Sequence, residues 1–174
     1  MLDLEISQEG TAMNEKQKQD RQRVVELVES HLKAEGLELE KLRKPSKDGH
    51  PYWAFAQGSA AVRIHLIPGP EDRGINYFQV VSPVLVLPEK NREGLFRELL
   101  ELNADHLWMC AFALRGDTVL LTADRTTVDL DRSEVVEMIE RVAAYADKFD
   151  DELAAKFNTK RFADRKVEKE SSSK

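Results

Sequence analysis

Two changes of hydrophobic period along this chain constrain its fold more than anything else in it. Over residues 135–157 the apolar positions Val135, Ile139, Val142, Ala146, Phe149, Leu153 and Phe157 recur with a 4-3-4-3-4-4 spacing. That is one continuous face of a long helix. Over residues 60–67 the period is two instead: Val62, Ile64 and Leu66 alternate with Arg63 and His65, as in an antiparallel strand buried on one side. Half-buried strands and a one-faced helix satisfy each other. The pattern therefore predicts an α+β fold, with helices on one side of an antiparallel sheet.

The remaining elements follow from local signals. Val24, Leu27, Val28, His31 and Leu32 place a first helix over residues 15–35, with Gly36 as its stop and its polar N-terminal half in solvent. A short strand over 52–57 turns at Gly58-Ser59, where glycine supplies the positive φ of a tight hairpin. A third strand spans 75–87. Pro83 lies inside it and has no N–H to donate, which predicts a bulge or an edge. A second helix over 90–104 starts weakly at Gly94. Strands over 107–114 and 118–123 flank Arg115-Gly116-Asp117, and Asp131 with Glu134 forms a capping box for the last helix. The order is α-β-β-β-α-β-β-α, with about five strands. Residues 1–14 read as a flexible lead and 15–158 as a single domain. Residues 159–174 read as a disordered charged tail, with six Lys or Arg against three acids from residue 160 on.

Composition narrows the function classes. A length of 174 residues suits one domain, and 41% apolar residues suffice for a core. The net charge of −6 argues against broad nucleic-acid binding, so direct contact with nucleic acid is expected to be weak or absent. Cys110 is the single cysteine, which excludes an intramolecular disulfide and a multi-cysteine metal cage. No apolar stretch approaches the ~20 residues that span a bilayer, and residues 1–14 lack a secretory pattern. A cytoplasmic protein without a membrane partner is expected.

Catalytic chemistry finds little footing. His31, His50, His65 and His106 are scattered, and His106 and Cys110, four apart, fall in a segment read as strand rather than helix. Asp147, Asp150, Asp151 and Glu152 read as a solvated helix face. There is no glycine-rich phosphate loop or nucleophile elbow. No catalytic, cofactor-binding or metal-ligating residue is assigned.

What remains is a surface. Leu95, Phe96, Leu99, Leu100 and Leu102 cover an arc of roughly 160° on the second helix, wider than one sheet contact needs. Either the last helix covers the excess, or a partner does. Leu95, Phe96, Leu99, Leu100 and Trp108 are thus the candidate dimer or partner interface. Trp53 and Trp108 both fall in apolar alternation, which favours core packing or a dimer contact over base stacking.

The segment from Phe78-Gln79-Val80-Val81-Ser82 to Pro88 resembles a strand of the YbjN family. Leu99-Leu100-Glu101-Leu102-Asn103, Cys110-Ala111-Phe112-Ala113-Leu114 with the Gly116-Asp117 turn, and the stretch from Tyr145 to Leu153 are similar too. The resemblance covers about residues 20–158, and the order of elements is similar to that of type III secretion chaperones of the CesT kind. It implies a small, usually dimeric, protein-binding fold without enzymatic activity or cofactor. YbjN-like proteins are known as sensory transduction regulators, and some accompany single-strand DNA-binding and repair proteins. A homodimeric chaperone-like or regulatory adaptor that escorts a partner protein is therefore expected. The alternative is an accessory factor in DNA repair.

Overall fold

The computed structural model describes residues 14–45 and 52–165. The lead over 1–13, His50 and residues 166–174 lie outside them. The chain runs α1 (Glu15–Ala34), α2 (Leu39–Leu42), β1 (Arg43–Lys44), β2 (Tyr52–Gln57), β3 (Ala60–Pro68), β4 (Asn76–Val86), α3 (Arg92–Asp105), β5 (Ala111–Arg115), β6 (Thr118–Thr126) and α4 (Arg132–Phe157). The sheet has six strands in the order β1-β2-β3-β4-β6-β5, each neighbour antiparallel. The sixth is β1, whose two residues pair with Trp53 and Tyr52. It is too short for any hydrophobic period to reveal.

One face of the sheet carries the core. Trp53, Val62, Ile64, Leu66, Phe78, Val80, Leu121 and Ala123 are buried there with the apolar stripes of α1, α3 and α4. Every predicted α4 position is buried except Phe157, which packs half-exposed against the cluster. Each fully buried side chain of this size contributes about 1.5–3 kcal/mol. The opposite, reverse face is mixed: Tyr52 stacks on His65 with ring centroids 5.0 Å apart, and Gln79 donates to Asp124.

Pro83 makes a bulge, not an edge. β4 lies inside the sheet, its register with β6 shifts between Pro83 and Leu85, and its pairing with β3 ends at Val81. β5 starts at Ala111 rather than at residue 107. Met109, at φ 61, breaks the extended run before it.

The polar half of α1 is not simply solvated. Gln17 and Arg21 are buried. The Gln17 amide donates to the carbonyls of Gly69 (3.1 Å) and Ile75 (2.9 Å), and Arg21 donates to that of Leu66 at 2.7 Å. Asn76 donates to the Gln17 carbonyl at 2.8 Å, and the Thr127 hydroxyl donates to Asp20. These side chains sit inside because the end of β3 and the loop to β4 leave carbonyls there, those of Leu66, Gly69 and Ile75, that take donors.

The segment over residues 159–165, expected as the start of a charged tail, is docked. Asn158, left-handed at φ 48, ends α4, and Thr159 N–H returns to the Ala154 carbonyl, a Schellman-type stop. Val86 N–H then donates to the Lys160 carbonyl at 3.0 Å, and the Thr159 hydroxyl to that of Val86 at 2.6 Å. Arg161 bridges Leu85 in antiparallel fashion, and Phe162 is buried. A charged composition hid this because the charges are matched: Arg161 pairs with Asp151 and Asp164, and Arg165 with Asp117.

Candidate functional site

The two ends of the sheet decide what this molecule can hold. At one end, β2 and β3 are joined by the two residues Gly58 and Ser59, with Gln57 opposite Ala60. In such a hairpin the flanking pair exchanges both hydrogen bonds, and bonded pairs then alternate. Gln57, Phe55 and Trp53 therefore bond to β3, while Ala56, Ala54 and Tyr52 turn their N–H and C=O groups outward. Lys44 of β1 lies opposite Tyr52. Beyond it, among the described residues, no strand runs beside Ala54 or Ala56. Phe55 is half-exposed and Ala56 exposed, so this edge offers main-chain groups on an apolar stretch.

At the other end the same logic applies to β5. Arg115 lies opposite Thr118 across the Gly116-Asp117 turn, so Phe112 and Leu114 are the residues whose main-chain groups face outward. Here, however, Asn103 of α3 closes the edge. Its Oδ1 accepts from Phe112 N–H at 2.7 Å, and its Nδ2 donates to the Phe112 carbonyl at 3.3 Å. One side-chain amide thus takes the place of a neighbouring strand.

The predicted interface divides at this point. Leu95 and Leu99 are buried in the core, and Phe96 is half-buried, so the apolar arc of α3 is covered from within over these positions. Leu100 is 67% exposed and Trp108 69%. Met109 (52%) and Leu114 (50%) join them, and sequence reasoning missed both. Leu100 lies one turn before Asn103, on the same side of α3. Leu114 lies two residues after Phe112, on the same face of β5. Trp108 and Met109 occupy the connection between the two elements. Alternation puts Trp108 within a strand; because β5 begins later, its indole stands in a loop. Trp53 is fully buried in the core.

The acidic cluster of α4 also divides. Asp147 is exposed, but its Oδ1 accepts from Ser59 N–H at 2.6 Å and from the Ser59 hydroxyl at 2.9 Å. Those bonds hold its carboxyl below the usual carboxylate range. Asp150, read as solvated, is buried; burial pushes its carboxyl up, against the Ser59 hydroxyl bond at 2.6 Å. The two acids clamp the β2–β3 turn onto α4. A side chain at Gly58 would collide with the Asp147 carboxylate.

Cys110 is half-exposed and burial pushes its thiol up to about 11, which makes it a poor nucleophile near neutral pH. His31 is buried in α1, His65 stacks on Tyr52, and His106 lies at the C-terminal cap of α3. Among the described residues no group of His, Cys, Asp or Glu is placed to hold a metal ion. None of their helices is long and apolar enough to cross a membrane.

A family model described as TY-Chap1, T3SS (YopN, CesT) and YbjN peptide-binding chaperone 1, matches residues 22–165. No curated protein matches the sequence. Among solved structures, a chain in the crystal structure of the ExsC-ExsE complex is similar, with a TM-score of 0.52 and 19% identity. The likeness covers 79% of this chain and 95% of that one. At that identity it is a likeness of fold.

Proposed function

The chain belongs to the TY-Chap1 family, the T3SS (YopN, CesT) and YbjN peptide-binding chaperones, and from that membership we propose that it is a non-enzymatic, homodimeric chaperone that holds a partner protein through an extended segment. The observation that carries this reading is the outer edge of β2. There the N–H and C=O groups of Ala54 and Ala56 face outward with no strand beside them among the described residues. An extended peptide adds to such an edge through main-chain bonds, and its alternate side chains fall on the pockets beside it.

The homodimer is supported by the apolar patch of Leu100, Trp108, Met109 and Leu114. A patch of large exposed apolar residues marks an interaction site, and a two-fold axis lets one patch cover its own copy. With Asn103 saturating Phe112, this patch is suited to side-chain packing rather than to strand addition.

The test separates the two surfaces. Ala56→Pro places a residue without an N–H where the N–H makes no ladder bond, so the sheet keeps its hydrogen bonds while an added strand loses one. Clients that copurify with the tagged wild-type chain should be lost from Ala56→Pro at unchanged solution mass. If that variant keeps the same clients, the β2 edge is not where they bind. The reading as an accessory factor of single-strand DNA metabolism keeps the exposed Trp108 ring as support and loses the buried Trp53. A direct affinity for single-stranded DNA that falls steeply with salt would favour it.

A further inference from the structure

Between β3 and the end of β4 the sheet has a notch. β3 pairs with β4 only as far as Arg63 opposite Val81, while β4 continues to Val86. On the β3 side of that extension the main chain of Val86 is bonded instead by residues 159 and 160, and Leu85 is bridged by Arg161. Residues 159–161 therefore act as a surrogate strand, and residues 162–165 turn into a short helical stretch directly after it.

It also carries an anchor. Val81, Leu120 and Phe162 are buried, yet none of them belongs to the main core cluster. The register places Val81 and Leu120 on the reverse face, because their neighbours Val80 and Leu121 point into the core. Main-chain bonds at Val86 before it and the Arg165–Asp117 ion pair after it bracket Phe162. The bridge from Arg161 to Leu85 sets it beside the end of β4. Around this small apolar site stand the carboxylates of Asp151 and Asp117, which Arg161 and Arg165 meet.

We propose that residues 159–165 are the built-in occupant of a second peptide groove, which takes a basic segment of a partner, extended where it pairs with Leu85 and Val86 and helical after that, carrying an aromatic residue two positions after the one bonded to Val86. The proposal rests on the peptide-binding reading above and adds to it a site, a ligand chemistry and a competitor. The chain's own segment holds the groove by one main-chain pairing, two ion pairs and one ring, so a partner segment of the same pattern competes with it against the effective concentration that the tether supplies. Asn158, at the left-handed stop of α4, is the point about which the segment swings.

The experiment uses the full chain and a fluorescein-labelled peptide of residues 158–165 as the probe. Phe162→Ala should release the segment, so that the probe binds this variant at least tenfold more tightly than it binds the wild type. The same probe with alanine in place of its phenylalanine should lose that affinity. Arg165→Glu, a change at a half-buried position that leaves the anchor in place, should move probe binding in the same direction by a smaller factor. If Phe162→Ala does not melt cooperatively, Arg165→Glu decides: tighter probe binding than wild type supports the groove, and unchanged binding overturns it. A folded Phe162→Ala chain that binds no probe overturns the proposal, as does equal binding by variant and wild type. If the wild type doubles in mass with concentration while Phe162→Ala does not, the groove belongs to a second copy of the segment, and the partner assignment falls. Clients lost from Ala56→Pro but indifferent to Phe162 would sink this groove and leave the chaperone reading standing. Probe binding with no client at either site would do the reverse.

Discussion

The two ends of the sheet solve the same problem in opposite ways. Beside β2 the neighbouring strand β1 is only the charged pair Arg43–Lys44, and beyond it Ala54 and Ala56 have no strand beside them among the described residues, with the short helix α2 lying against β2. Beside β5 there is no strand at all among the described residues, yet the exposed main chain is closed by the amide of Asn103. Exposed strand edges recruit other strands, and proteins blunt them with charge, shortness or cover. The difference teaches that the edge of β5 is guarded although the surface around it is apolar, while the edge of β2 is open although the strand beside it is charged. Exposed apolar side chains and main chain with no strand beside it, among the described residues, thus lie at different ends of one sheet.

The sharpest way to break this comparison is to remove apolar area from the guarded end. Leu100→Asp combined with Trp108→Asp should shift the mass seen by light scattering from about twice 19.9 kDa to that of a single chain, with little change in melting temperature, because both residues are exposed. A dimer that persists puts the contact elsewhere. Removing the guard comes next. Asn103→Ala strands the N–H and C=O of Phe112 and should cost about 1–3 kcal/mol in chemical denaturation. The freed edge should then associate edge to edge, with a mass that rises with concentration. Asn103→Asp keeps the acceptor for the N–H and should fall between the two.

At the open end the expected effects are smaller and concern the turn. Gly58→Ala combines a positive φ of 57 with a collision at Asp147 and should cost roughly 1–3 kcal/mol, readable as a lower melting temperature. The smallest effect is in the pH profile, where the two clamping acids have opposite signs. Asp147 has its pKa lowered by the Ser59 bonds. Its contribution is present above the ordinary value of 3.8 and is lost as pH falls through the depressed one. Asp150 has its pKa raised by burial, so its contribution is present below 3.8 and lost as pH rises through the raised value. Melting curves between pH 3 and pH 7 should show Asp147→Asn flattening the acid limb and Asp150→Asn removing the decline on the other side. Parallel curves for both variants would mean that neither acid carries the turn.

Periodicity made the three long helices, the β2–β3 hairpin, the capping box at Asp131 and the one-sided layering legible, but not the single turn of α2, which reads as loop. Each rests on apolar spacing or on a turn residue with one strong preference. It failed where polar groups carry the packing. Gln17, Arg21 and Asp150 are buried because each meets a specific partner, and no spacing rule records a partner that lies 45–91 positions away in the chain. The docked segment over 159–165 escapes periodicity for the same reason, since its charges look solvated until Asp117 and Asp151 are placed beside them. Of the candidate interface, Leu100 and Trp108 emerged at the surface, while Leu95 and Leu99 went inside. An arc drawn on one helix cannot tell which part its own chain covers. Met109 and Leu114 could have been found only by knowing that β5 is an edge strand.

The position of α4 in the chain has a consequence for synthesis. This helix, Arg132–Phe157, packs across β2, β3, β4 and β6 and is made after all six strands. A chain emerging from the ribosome completes the β2–β3–β4 meander early, from contacts close in sequence, and then carries the part of its apolar face that α4 covers exposed for dozens of residues. For that interval the nascent chain is itself a client, exposing the kind of surface that other proteins bring to a chaperone.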